Sequence, residues 1–331
     1  MPKMRILLIK TSSLGDVIHN LPVVNDLLEH HPNAVIDWVV EESFADIPRL
    51  HPKVNQVFTV AIRRWRKHLF RRQTWCEIRN AIKAITAKPY DKVIDTQGLI
   101  KSGVIARLAH GARHGYDKHS IREPVASLFY QHKHAISYQQ HAVVRNRALV
   151  ALSLGYAIPT DAPDYGIHAQ QLNDLNTSKN NLSLPSYYAI ALHGTSRDSK
   201  LWPEAEWIGL GRSLAQRGLN VVLPWSNPAE FARATYIASQ LPQALVLPKL
   251  SIHQLASIIA QANVAIGVDT GLSHLAVALN IPTVAIYTDT NPALTGVMQG
   301  AVSPAVNLGG IAQIPSHTDI LAALTRISNT Q

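Results

Sequence analysis

The chain has a single cysteine, Cys76, among 331 residues, so an internal disulfide or a cysteine-based metal centre is excluded. No uninterrupted apolar run approaches the ~18 residues that a membrane-spanning helix needs. The N-terminus, MPKMRILLIKTSSLGD, starts basic, but its apolar run is too short for a signal peptide and lacks a small-residue cleavage site. These absences set the expectation of a cytoplasmic protein. No G-x-G-x-x-G follows the first apolar run, which weakens a nicotinamide-dehydrogenase reading. No D-x-D is present to hold a metal, and His132, His134 and His141 lack zinc-motif spacing. Aromatic residues make up only 6%, so stacking surfaces are scarce. That scarcity, with no recognised motif, leaves a basic nucleic-acid-binding protein as a remote alternative.

What is present is globular. Hydrophobic residues reach 47% and charged residues 16%, unlike a disordered chain. The length suits two domains. Basic residues (31) outnumber acidic ones (22), giving a net charge of +9 and a pI near 9.7. Such a balance calls for an anionic partner: nucleic acid, a membrane surface or a phosphorylated substrate.

The stretch that organises the chain is Asn263 to Leu279, NVAIGVDTGLSHLAVAL. Val264 to Val268 is apolar and β-branched, as in a strand buried on both faces of a parallel sheet. Asp269, Thr270 and Gly271 break the run, and Leu272, Leu275, Ala276 and Leu279 recur at helical spacing. Strand, tight turn and helix N-terminus together favour an anion, above all a phosphate. Ser273 and His274 fall in the helix's first turn, within reach of the same ligand. The plainer reading is Asp269 as an ordinary N-cap.

The same grammar runs through both halves. Arg5 to Lys10 reads as a strand, Thr11 to Asp16 as a loop, and Val17 to Leu28 as a helix that Pro22 delays or kinks. Asp16 sits at the loop–helix junction, where open α/β sheets place their sites, or simply caps the helix. Val35–Val40 and Val57–Ile62 read as strands. Six cations then fall between residues 63 and 72, the densest positive cluster in the chain. Charge runs are usually solvated faces, but Arg forks at a strand end suit phosphates and carboxylates. A helix follows near Ile78–Ile85, then a strand at Lys92–Asp95, a helix through Leu108, a polar stretch from Arg113 to Arg122, and helix again through about Leu154. The Pro-rich Gly155–Pro163 marks the boundary between domains 1–157 and 158–331. Residues 173–185 form a second polar stretch, read as a surface loop. In the second half, strands are expected at Tyr188–Leu192, Asn220–Leu223, Ala244–Leu247 and Val264–Val268, with Pro282–Tyr287 closing the sheet. A C-terminal helix, about His317–Ile327, is expected to pack back on the first domain. The fold class is α/β, with two doubly wound parallel sheets facing across a cleft.

Gly267 to Ala276 resembles the signature of the ADP-heptose:lipopolysaccharide heptosyltransferases, and Ile9 to His19 resembles their N-terminal motif. AIRRWRK, DTQGL, RLAHG, REPVASLFY and SRDSKLWP resemble members that add the first heptose of the inner core. The near alternative is a member that adds the second, using heptosyl-Kdo2-lipid A. The resemblance runs from Met4 to about Pro292. It implies a GT-B fold of Rossmann-like domains and an inverting, metal-independent glycosyl transfer. The donor would be ADP-L-glycero-β-D-manno-heptose, with no cofactor, and the acceptor the first Kdo of Kdo2-lipid A. The enzyme would be a monomer held peripherally at the anionic cytoplasmic face of the inner membrane.

Carried over position by position, the resemblance makes Asp16 the general base. Thr195, Ser196 and Lys200 would hold the diphosphate, with Lys200 also taking up leaving-group charge. Asp269, Thr270, Gly271 and His274 would line the donor site, Glu230 would meet the ribose, and Leu250 would lie near the adenine. Lys10, Ser13, Gly15, Arg63, Arg64, Arg66, Lys67 and Arg122 would face the acidic acceptor. The chain departs from the usual pattern at Ser196, at Leu250, and at Thr288, where many relatives carry Gly.

Overall fold

A computed structural model of the chain describes residues 3–168, 172 and 183–328. Residues 173–182 of the expected surface loop lie outside the described residues. The chain divides into two units between Gly166 and Ile167.

The first unit runs β1 (Arg5–Ile9), α1 (Leu14–Ile18), α2 (Pro22–His30), β2 (Val35–Glu41), α3 (Asp46–Leu50), β3 (Val54–Val60), α4 (Ile62–Trp65) and α5 (Arg72–Thr86). It continues through β4 (Lys92–Asp95), α6 (Ile100–Leu108), β5 (Ala112–Tyr116), β6 (His132–His134) and α7 (Ala142–Leu154). The sheet order is β3-β2-β1-β4-β5-β6, all parallel. β1 is buried from Ile6 to Ile9 because helices cover both faces, which is why its sequence is apolar without alternation. Pro22 resolves the question it raised: it occupies the first turn of α2, where its missing N–H costs nothing, and α1 ends before it.

The second unit runs β7 (Tyr188–Leu192), α8 (Glu204–Gln216), β8 (Asn220–Leu223), α9 (Pro228–Ser239), β9 (Leu245–Val246), α10 (Ile252–Ile259) and β10 (Val264–Val268). It ends with α11 (Gly271–Ala278), β11 (Thr283–Tyr287), α12 (Pro292–Thr295), β12 (Ala305–Gly309) and α13 (His317–Ser328). The order β9-β8-β7-β10-β11-β12 repeats that of the first unit strand for strand. In each sheet the order reverses beside the unit's first strand, between β1 and β4 and between β7 and β10. Doubly wound sheets bind ligands at this reversal, beyond the strands' C-terminal ends.

Several expectations are corrected. Two strands replace other expectations: β5 lies at the start of the expected polar stretch, and β6 lies within the helix expected through Leu154. ARHGY and HKH offer no apolar run, and β6 is a sheet edge. β11 does not close the second sheet, because β12 lies outside it. The third strand starts at Val54, and α4 occupies Ile62–Trp65. Pro124–Phe129 forms 3-10 turns rather than an α-helix.

The segment after α7 is tied to the first unit. Arg147 forks onto Asp26 at 2.7 and 2.8 Å and also reaches Asp161 at 2.9 Å. Asp164 accepts from Asn25. The first unit therefore extends through Gly166. The C-terminal helix α13 sends Ile320, Ala323, Leu324 and Ile327 into the second unit's own core, with Trp202 and Trp207.

Candidate active site

In the first unit, the loop leaving β1 is fixed from β4. Gln97 Oε1 accepts from the amides of Thr11 and Ser12, both at 2.9 Å. Gln97 is itself held by Asp95, whose Oδ1 accepts its amide at 2.9 Å and whose Oδ2 accepts from Tyr130 Oη at 2.6 Å. Burial raises the Asp95 pKa, and these hydrogen bonds oppose the shift.

The loop then enters α1. Ser13 donates both its amide and its hydroxyl to Asp16 Oδ2, each at 2.8 Å. Asp16 is thus the third residue of the helix, acting in a capping box around Ser13. One oxygen is anchored, and Oδ1 has no hydrogen-bond partner among the described residues. Gly15 lies in the same turn. Lys10 is buried: its ammonium donates to Thr96 O at 2.8 Å, with Asn146 Oδ1 at 3.5 Å. Burial lowers its pKa, and the charges of Asp16 and Asp95 oppose the fall. Lys10 therefore supports the loop from below and is not an exposed contact.

The basic cluster separates into roles. Arg63 is exposed, its amide donates to Glu41 Oε1, and its guanidinium lies over Phe44. Arg64 is held by carboxylates, bidentate on Glu42 at 2.9 and 3.0 Å and on Glu77 at 2.8 Å. Hydrogen bonding to these two acids raises its pKa. Arg66, Lys67 and Arg122 are exposed and form no ion pair among the described residues. Lys101, which the sequence reading missed, donates to Ser12 Oγ at 2.9 Å. Burial lowers its pKa, Arg63 and Arg66 add to the fall, and Glu41 and Glu123 oppose it. Lys101 forms no direct ion pair among the described residues, which leaves its ammonium able to meet an anionic ligand. Behind this cluster an apolar trough of about 320 Å³ lies between Trp65, Ile78, Ile82, Val104 and Leu108.

In the second unit, the loops after β7 and β10 meet at the reversal. Lys200 Nζ reaches Asp269 Oδ2 at 2.7 Å, and both side chains are largely buried. Thr290 Oγ1 donates to the same oxygen at 2.6 Å, and Thr195 Oγ1 donates to the Asp269 carbonyl at 2.8 Å. Asp269 is therefore not the helix cap. Thr270 takes that position in extended backbone, with no side-chain capping bond, and Gly271 begins the helix. The turn is tight enough that a Cβ on Gly267 would lie 2.2 Å from Ser273 Oγ. His274 is buried in the first turn of α11, and Ser196 is exposed.

Glu230 sits in α9, where its Oε2 accepts from Ser226 N and Oγ at 2.7 and 2.8 Å. Its carboxyl packs so closely on Gly194 that a Cβ there would lie 2.7 Å from Cδ. Between Glu230 and Arg233, His193 is buried and its pKa is pushed down to about 4, chiefly by desolvation and then by Arg233. Leu250 is half-buried beyond β9. Thr288, the unusual residue, donates to the Ser199 carbonyl at 2.9 Å and so pins the loop that carries Lys200.

Sequence reasoning missed Gln97, Lys101 and Thr290 as participants. The first two lie just past the end of a strand at the reversal, a position that could have flagged them. The pairing of Lys200 with Asp269 spans 69 residues and is visible only in the fold.

Among known proteins, the family model for glycosyltransferase family 9 (heptosyltransferase) matches residues 78–314. Lipopolysaccharide heptosyltransferase 1 from Escherichia coli is 47% identical over 294 residues, 88% of this chain and 90% of that protein. The solved structure of E. coli heptosyltransferase WaaC with ADP matches with a TM-score of 0.88 and 43% identity, covering 98% of this chain and 99% of that one. The same protein with ADP-2-deoxy-2-fluoro heptose matches with a TM-score of 0.86 and 42% identity, at the same coverage. The paired six-stranded sheets are the two Rossmann-like units of the GT-B fold.

Proposed function

This chain belongs to glycosyltransferase family 9, the heptosyltransferases, and from that membership we propose that it transfers heptose from ADP-heptose to the first Kdo of Kdo2-lipid A. The observation that carries the reading is the 47% identity to lipopolysaccharide heptosyltransferase 1 across 88% of the chain.

The chemistry follows from the two reversals. The acceptor hydroxyl attacks the anomeric carbon of ADP-L-glycero-β-D-manno-heptose as the bond to the β-phosphate oxygen breaks. Asp16 Oδ1 takes the hydroxyl proton while Oδ2 stays on Ser13, so the base keeps one fixed orientation. A carboxylate is a weak base, but the hydroxyl becomes far more acidic as its oxygen bonds to an oxocarbenium-like carbon. The electron pair of the broken bond leaves with ADP. Lys200, Thr195, Ser196 and the N-terminal amides of α11 receive that charge. Asp269 holds Lys200 before the donor arrives and then faces the sugar alongside Thr270, Gly271 and His274. Glu230 meets the ribose, and Leu250 packs near the adenine.

On the acceptor side, Arg63, Arg66, Lys67, Arg122 and Lys101 receive phosphates and carboxylates, with Ser13 and Gly15 beside the reacting hydroxyl. Arg64 is committed to Glu42 and Glu77 and is left out of this set. The protein works as a monomer at the anionic cytoplasmic face of the inner membrane.

Asp16→Asn tests the catalytic assignment, since Asn can still accept from Ser13. Transfer should fall by about 10²–10⁴-fold, with ADP affinity by calorimetry unchanged. Loss of ADP binding in that variant would make Asp16 structural.

A further inference from the structure

The tip between α4 and α5 exposes apolar surface where a soluble face would be polar. Phe70 is fully exposed (105%), Leu69 is 45% exposed and Trp75 is 52% exposed. The tip is built to stand rigidly. His68 to Arg71 close a turn through the Arg71 amide on the His68 carbonyl, with Leu69 and Phe70 at its apex. Thr74, itself buried, donates to His68 O at 2.8 Å, and Trp75 Nε1 donates to Leu69 O at 2.8 Å. Turn apices are normally Gly, Asn, Asp or Pro, so two large apolar residues there, clasped from α5, need another explanation. Arg66, Lys67, Arg71 and Arg72 surround the apex, all exposed. Behind it Trp65 leads into the apolar trough between α5 and α6. In α5 only Thr74 and Ile85 are buried among 15 residues, so this helix contributes little to the core.

We propose that residues 68–75 form a membrane-docking tip, in which Leu69, Phe70 and Trp75 enter the headgroup region of an anionic bilayer while Arg71 and Arg72 engage lipid phosphates. Apolar wedges ringed by cations match the two forces that such a surface exerts, burial of apolar area and attraction to negative charge. The tip follows directly on the Arg63–Lys67 segment assigned to the acceptor. It would therefore deliver that segment to a lipid-linked sugar at the height of the headgroups. The proposal rests on the transfer reading only for that last point.

The test is sedimentation of the full-length protein with vesicles of phosphatidylcholine alone or with phosphatidylglycerol, beside turnover on a soluble, delipidated Kdo acceptor. Phe70→Ser should weaken partitioning into the mixed vesicles by about ten-fold or more. Arg71→Gln with Arg72→Gln should weaken it about five-fold per charge at low salt, and less at high salt. Both variants should turn over the soluble acceptor at the normal rate, because none of Phe70, Arg71 and Arg72 is assigned to substrate and Phe70 is fully exposed. A polarity-sensitive fluorophore on Cys76, the only thiol and an exposed one, should shift to the blue with mixed vesicles. Unchanged partitioning of Phe70→Ser, or no shift from the Cys76 probe while the protein is bound, would overturn the proposal. Self-association of the wild type that Phe70→Ser abolishes, without vesicle binding, would assign the tip to a second copy of the chain instead. A wild type that docks but turns over no acceptor would sink the transfer reading and leave the tip standing.

Discussion

At the scale of single residues, the basic cluster shows how a charge run divides once it is folded. RRWRK reads as one unit in sequence, yet Arg64 is committed to Glu42 and Glu77, while Arg66 and Lys67 form no ion pair among the described residues. Arg64→Gln should therefore lower the melting temperature slightly and leave the acceptor KM within two-fold. Arg63→Gln with Arg66→Gln should raise the acceptor KM by at least about ten-fold, given charge-assisted bonds of ~1.5–3 kcal/mol each, and leave the donor KM alone. Steady-state kinetics on both substrates separates the two outcomes. Equal effects of the two changes would remove the distinction. Thr288 is a second case. Its hydroxyl ties down the carbonyl that precedes Lys200. Thr288→Gly should raise the donor KM several-fold by releasing that loop, and an unchanged donor KM would make the bond incidental.

At the scale of elements, legibility followed burial. β1, β7 and β10 are covered on both faces and read as plain apolar runs. β5, β6 and β12 were missed because ARHGY, HKH and AVNLG carry polar or small residues that periodicity cannot separate from coil. Of the three histidines that lack zinc-motif spacing, His132 and His134 pack against β5. His114 stacks on His132 at 4.4 Å and lies 3.2 Å from His134, with Lys92 Nζ 3.2 Å away on β4. The Lys92 contact makes His114 Nε2 an acceptor, so the neutral ring carries its proton on Nδ1 toward His134. His141, the third histidine of that set, accepts from Val143 N and caps α7.

Burial first, then Lys92, His132 and His134, push the His114 pKa down to about 3 from 6.5. Below pH 6.5 the unfolded chain takes up a proton that the folded one refuses, so stability falls with pH by about 1.4 kcal/mol per unit from this group. That loss continues until pH approaches the folded value. Urea midpoints at pH 7.5 and 5.5 should show it, and His114→Gln should reduce it. A His114→Gln variant with the same pH dependence would locate the acid sensitivity elsewhere. The turn between β10 and α11 gives a sharper test. Gly267→Ala places a methyl against Ser273 Oγ and Leu192 Cβ. It should cost about 1–3 kcal/mol and shift the amides at the start of α11. A variant as stable as the wild type would mean the turn is looser than described.

At the scale of the whole molecule, the two units use one plan twice, with the same strand order and the same reversal, and with the same kind of loop at each. The sequence exposed that repetition as strand, loop and helix in both halves. The reversal itself depends on which strands neighbour each other, and no local pattern encodes that. The loops nonetheless carry different chemistry. One presents a carboxylate with a free oxygen among cations, and the other a lysine with hydroxyls at a helix end. That asymmetry is what a transfer between an acidic acceptor and a diphosphate donor requires.

The measurement that tests this most directly is ADP release from ADP-heptose, with the mass of the lipid product, using Kdo2-lipid A and then heptosyl-Kdo2-lipid A as acceptor. The account expects release that depends on Kdo2-lipid A and one heptose added to it. Release only with the heptosylated acceptor would assign the chain to the next step, and no release with either would contradict the proposed reaction.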